Sequence, residues 1–122
     1  MYKLNEVRAV LCIGAVLAVL TPLVAKADIY CSGNVSDMLI YGGSNVTIFG
    51  SWRNDFTFIC NVQSTWNGIG PDTCKAWYAT LLAAKTANQA IQVWYPDSAG
   101  YTCASLPTYS SSLTPNFLRI TQ

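Results

Sequence analysis

Four cysteines, Cys31, Cys60, Cys74 and Cys103, constrain this chain most, because the segment ahead of them directs it to a compartment where they would pair. That segment opens with Lys3 and Arg8, continues as the apolar run Ala9–Leu20, and ends in Ala25-Lys26-Ala27. A positive start, a short apolar stretch and an A-x-A site read as a secretory signal peptide, residues 1–27, cleaved after Ala27. The run is too short for a membrane span, which takes about 20 apolar residues, so no anchor is expected after cleavage. The fifth cysteine, Cys12, leaves with the leader. The remaining four are even in number, as a disulfide framework in an exported domain requires.

Residues 28–122 are long enough for one domain with a thin core, which bridges would reinforce. Their charges are few: Arg53, Lys75, Lys85 and Arg119 against Asp28, Asp37, Asp55, Asp72 and Asp97. No basic run is present to meet a phosphate backbone, so nucleic acid is not an expected partner.

Met38-Leu39-Ile40-Tyr41 and Val46-Thr47-Ile48-Phe49 flank Gly42-Gly43-Ser44-Asn45 and predict a hairpin. After a turn at Arg53-Asn54-Asp55, the run Phe56–Val62 alternates, with Phe56, Phe58, Cys60 and Val62 on one face. Pro71 opens a helix with Asp72 or Thr73 as its cap, and Cys74, Trp77, Tyr78 and Leu81 form its buried stripe. Lys85 suits its last turn and Asn88 its C-terminal cap. Ile91–Tyr95 and Phe117–Ile120 are the last two strands, joined by the Ser/Thr/Pro-rich connection Ala104–Pro115. The expectation is a mostly β domain with one helix (α+β), in the order β-β-β-α-β-β. That is the order of an OB-fold-like five-stranded barrel.

The order selects one of the three possible cysteine pairings. Cys60 ends the third strand and Cys74 starts the helix. Cys31 precedes the first strand and Cys103 follows the fourth, which pairs with the first in an OB-fold. Cys60–Cys74 and Cys31–Cys103 are therefore expected, contributing about 3 and about 4 kcal/mol in the chain-entropy account.

Histidine is absent from the whole chain, which removes every His-based triad or proton shuttle. Bridged cysteines supply neither a thiol nucleophile nor a zinc ligand, and no D-x-D-x-D run suits calcium. Asp37, Asp55, Asp72 and Asp97 fall in turns or caps, where aspartate bonds its own backbone. No catalysis, metal or cofactor is expected. Ser51-Trp52-Arg53-Asn54-Asp55-Phe56 is the densest polar-aromatic cluster. It reads either as a packed turn or as a sugar platform, with Trp52 stacking and Arg53, Asn54 and Asp55 hydrogen bonding. Trp66 and Asn67 in the next loop are further ligand candidates, and Tyr109 a weaker one. Ala76, Ala79, Ala83 and Ala87 put small residues where a solvated helix face normally carries Lys or Glu. They reflect helix propensity or a face that packs on another subunit. Asn34-Val35-Ser36 and Asn45-Val46-Thr47 match the N-glycosylation pattern, which matters only in a eukaryotic source.

The stretches Ser51–Thr57, Ile59-Cys60-Asn61, Cys74–Tyr78 and Leu106–Tyr109 resemble those of small uncharacterised exported proteins of Gram-negative bacteria. That resemblance implies a periplasmic or secreted location. In architecture alone the chain is similar to the OB-fold, glycan-binding B subunits of AB5-type toxins. The reading is an exported binding module for carbohydrate, oligomeric through its helix. The alternative is a periplasmic structural or inhibitor-type domain that binds a protein.

Overall fold

The computed structural model describes residues 26–122. The leader, up to Val24 and Ala25, lies outside them; only Lys26 and Ala27 of the expected signal peptide fall within. Six strands and one helix follow: β1 (Ile29–Gly33), β2 (Val35–Ile40), β3 (Asn45–Gly50), β4 (Asp55–Asn61), α1 (Pro71–Thr86), β5 (Ile91–Tyr95) and β6 (Phe117–Ile120). Two 3-10 turns, Cys103–Ser105 and Tyr109–Ser111, punctuate the connection before β6.

The strands form two antiparallel three-stranded sheets, β1-β5-β6 and β2-β3-β4, rather than the single five-stranded barrel expected. Two physical causes account for the difference. The first strand starts at Ile29, not Met38, and is parted from β2 at Asn34, so one bent run serves both sheets. Cys31 therefore lies inside a strand and not before one. At the other seam, the free edge of β4 is occupied: the Phe58 N–H donates to Ser112 Oγ at 3.1 Å, and that hydroxyl donates to the Pro107 carbonyl at 3.2 Å. A donor bound to the connection is not offered to β6.

Alternation in β4 is also broken. Val46 pairs with Cys60 but Thr47 pairs with Phe58, leaving Ile59 as an extra residue. Such a bulge re-aims the side chains beyond it. Phe58 and Cys60 thus do not share a face: Cys60 joins the core cluster, while Phe58 packs edge-on against Trp66 at 4.4 Å.

The core comprises Val46, Ile48, Ile59, Leu81, Ile91 and Val93, all fully buried, closed by two bridges. These are Cys31–Cys103 and Cys60–Cys74, with Cα–Cα distances of 5.4 and 5.6 Å, the pairing read from the order of elements. The second bridge fixes the first turn of α1 to the end of β4. Gly70 is the N-cap and makes no side-chain cap bond, so neither Asp72 nor Thr73 caps. Pro71 takes the first helical position and Asp72 the first turn, where a carboxylate favours the helix dipole. At the far end Ala87 is the C-cap. Asn88, one residue beyond it, adopts φ 51°. Its N–H donates to the Lys85 carbonyl and that of Gln89 to Ala84, a Schellman closure. Cys74, Leu81 and Ala84 are buried, whereas Trp77 and Tyr78 are only half-buried.

Asn61 locks the upper end of this sheet. Its amide donates to the Gly43 carbonyl at 2.8 Å and to Asn45 Oδ1 at 2.6 Å, and its oxygen accepts from the N–H groups of Gln63 and Ser64. One side chain thus fixes both the β2–β3 turn and the chain leaving β4. Asn61→Ala strands these groups and is expected to cost about 2–3 kcal/mol, read as a lower urea midpoint at unchanged m-value with both bridges intact.

Candidate ligand-binding cleft

The Asn61 lock positions a cleft of about 210 Å³ on the β3–β4 face. Tyr41 enters from the β2–β3 turn. That turn is closed by Ser44 N–H donating to the Tyr41 carbonyl at 2.7 Å, with Ser44 itself at φ 66°. Asn45 and Thr47 come from β3, and Phe58 from β4 opposite Thr47. Trp66 comes from the loop before α1, and Tyr109 and Ser110 from the second 3-10 turn.

Tyr41 and Tyr109 face one another across the mouth, ring centroids 6.0 Å apart and planes tilted by 57°. Both are exposed, 38% and 48%. Hydrogen bonding to the Tyr109 side chain, then burial, hold the Tyr41 phenol above its ordinary value. Tyr109 carries φ 50°, a left-handed conformation uncommon for an aromatic residue. The backbone there is held by the Ser112 N–H donating to the Tyr109 carbonyl at 3.0 Å. The lining thus combines four aromatic rings with amide and hydroxyl groups and contains no Lys, Arg, Asp or Glu.

A second groove, of about 330 Å³, draws on the same loop before α1 and the same connection into β6. Asn67, Thr73, Trp77, Thr114 and Asn116 line it, again without Lys, Arg, Asp or Glu. Trp66 and Ile69 exchange backbone hydrogen bonds at 3.0 and 2.8 Å, with Asn67 at φ 45° and Gly68 at φ 84° between them. This is a two-residue turn of the type that Asn-Gly favours.

The residues singled out from sequence divide between turn and cavity. Trp66 lines the cleft and Asn67 the second groove. Trp52, Arg53, Asn54 and Asp55 line neither; they form the β3–β4 turn. Trp52 lies on Gly50, where an added Cβ would meet the indole at 2.6 Å. Asn54 takes φ 59° and its N–H donates to the Gly50 carbonyl. Asp55 accepts from the Phe56 N–H at 2.7 Å and stands 3.8 Å from Arg53. Only 12% of the Arg53 side chain is exposed. Nη1 of Arg53, Nε1 of Trp52 and the Tyr95 hydroxyl are buried with no hydrogen-bond partner among the described residues. Ala76, Ala79, Ala83 and Ala87 are all exposed on α1.

Tyr41, Asn45, Thr47, Phe58 and Ser110 were not distinguishable as ligand candidates from local sequence. Of these, the paired turn glycines beside Tyr41 were the one available signal. On the outer face of the other sheet, Tyr30, Trp94 and Phe117 form a cross-strand aromatic row. Beside it runs the polar row Ser32, Gln92 and Arg119, joined by hydrogen bonds of 3.1 Å.

Comparison with protein-family models, curated proteins and solved structures finds no match for this chain.

Burial pushes the Tyr95 phenol above its ordinary value of 10, against a smaller lowering by the Arg53 charge. The folded chain thus keeps a proton that the unfolded chain loses above pH 10. This contribution is intact below pH 10 and falls as pH rises further, by at most about 1.4 kcal/mol per pH unit. Urea midpoints should drop as the pH rises from about 10 toward about 12, and Tyr95→Phe should flatten that limb.

Proposed function

We propose that this chain is an exported, non-catalytic binding module whose cleft takes a neutral sugar ring. The lining of that cleft carries the reading. Tyr41, Tyr109, Trp66 and Phe58 supply apolar faces for the C–H surfaces of a pyranose. Asn45, Thr47 and Ser110 supply directional polar groups for its hydroxyls. With no ionised side chain in the lining, a phosphate or carboxylate would meet no counter-charge. That favours a neutral glycan over an oligonucleotide.

The order of elements supports the same reading: with β1 and β2 counted as one bent strand it is the order of an OB-fold, although the two sheets do not close into its barrel. OB-folds bind oligonucleotides and oligosaccharides on their second and third strands, between the loops after the first and fourth. Here those parts are β3, β4, the turn after Tyr41 and the connection carrying Tyr109. Both disulfides fit an oxidising periplasmic or extracellular location, and no helix among the described residues is long and apolar enough to cross a membrane. Cleavage after Ala27 would remove Lys26 and its ion pair with Asp97. Self-association through the exposed alanine face of α1 belongs to this reading. A second reading, a protein-binding domain, draws on the Tyr30–Trp94–Phe117 row, with Tyr30 53% exposed.

The test is a glycan array and light scattering on the cleaved protein, followed by titration of any sugar that binds. Tyr109→Ala, at an exposed position, should weaken binding by about tenfold or more, some 1.4 kcal/mol. An array on which no neutral sugar is retained would sink the carbohydrate reading.

A further inference from the structure

The cleft and the groove over Trp77 share both of their walls. One wall is the Asn67-Gly68 turn: Trp66 faces the cleft, and its sequence neighbours Asn67 and Gly68 face the groove. The other is the connection into β6: Tyr109 and Ser110 line the cleft, Thr114 and Asn116 the groove. Within the groove the two walls are tied by Asn67 Nδ2 donating to Thr114 Oγ1 at 2.9 Å. Both cavities are thus bordered by the same loop and the same connection.

Their chemistry matches as well. Each offers an indole, Trp66 in one and Trp77 in the other, among neutral hydrogen-bonding groups. The groove polar set comprises Asn67, Thr73, Thr114 and Asn116. A helix face that served only the core would bury its tryptophan, yet Trp77 is half-exposed here. The turn that carries Trp66 and Asn67 is closed by paired backbone bonds and left-handed residues, so this shared wall keeps its shape before any ligand arrives.

We infer that the two cavities are adjacent subsites of one site, and that the ligand is a chain of neutral sugars rather than a single ring. This rests on the carbohydrate reading above and adds the length of the ligand to it. A first ring would sit between Tyr41 and Tyr109, and the chain would pass the Asn67–Thr114 tie to place a further ring on Trp77. The second ring adds contacts without a second loss of overall tumbling, so longer chains bind more tightly.

Calorimetric titration of the cleaved protein with neutral homo-oligomers of glucose, N-acetylglucosamine, galactose and mannose, of one to five rings, tests this. In the series that binds, affinity should rise by about tenfold or more from one ring to three and then level off. Asn116→Ala and Thr73→Ala change exposed side chains outside the core. Each should bring the affinity for three rings down toward the one-ring value, with thermal unfolding unchanged. Tyr109→Ala should weaken every length. Equal affinity at all lengths, with Tyr109 still required, overturns the extended site and leaves the single-ring reading standing. A length gain that survives both Asn116→Ala and Thr73→Ala also overturns it, because the second ring would then lie elsewhere. No heat with any of the four series overturns both.

Discussion

The end of β4, from Phe58 to Asn61, is the point to which the rest of the chain is tied. Phe58 gives its N–H to Ser112 and its ring to Trp66; Cys60 is bonded to Cys74 of the helix; Asn61 holds the β2–β3 turn. The bulge at Ile59 makes this possible, because it turns Phe58 toward Trp66 and the cleft while Cys60 stays in the core. With strict alternation both would face one way, and either the bridge or the cleft floor would be lost. Structural and binding roles are thus separated within adjacent residues of one strand.

Much of this was legible in the sequence because it follows local rules. The helix shows its Pro71 start and, in Cys74 and Leu81, two of its buried residues, the hairpin shows its glycines, and the order of elements the pairing of the cysteines. What escaped is non-local or depends on a break in periodicity. β1 is only five residues long, ends in Ser32-Gly33 and runs almost directly into β2, so Ile29–Gly33 does not stand out as a strand of its own. The Ile59 bulge leaves no trace in a pattern that reads as clean alternation. The cleft draws single residues from the β2–β3 turn, β3, β4, a loop and the connection, and no local window contains it.

The polar-aromatic cluster at Trp52–Asp55 is instructive for the opposite reason. Composition alone makes it resemble a ligand surface, yet its parts are consumed locally. Trp52 needs the bare backbone of Gly50 beneath it, Asn54 supplies the left-handed residue and a backbone N–H to the turn, and the Asp55 carboxylate accepts from Phe56. Residue types suited to recognition are equally suited to closing a tight corner, and burial decides between the two. By contrast, Asn67-Gly68 between Trp66 and Ile69 is a plain hairpin signal, and the tight turn it makes carries Trp66 on the lining of the cleft and Asn67 on that of the groove.

The connection into β6 is fastened at two places, by Cys103 to β1 and by Ser112 to the edge of β4. Between these fastenings the chain carries Tyr109 and Ser110 and makes no strand. Leu106 in this span belongs to the core, but substitutions at the exposed Tyr109 and Ser110 alter one wall of the cleft while both anchors and the core stay as they are. Selection can therefore retune what such a domain recognises by editing a short tethered span, without having to re-solve the folding problem each time.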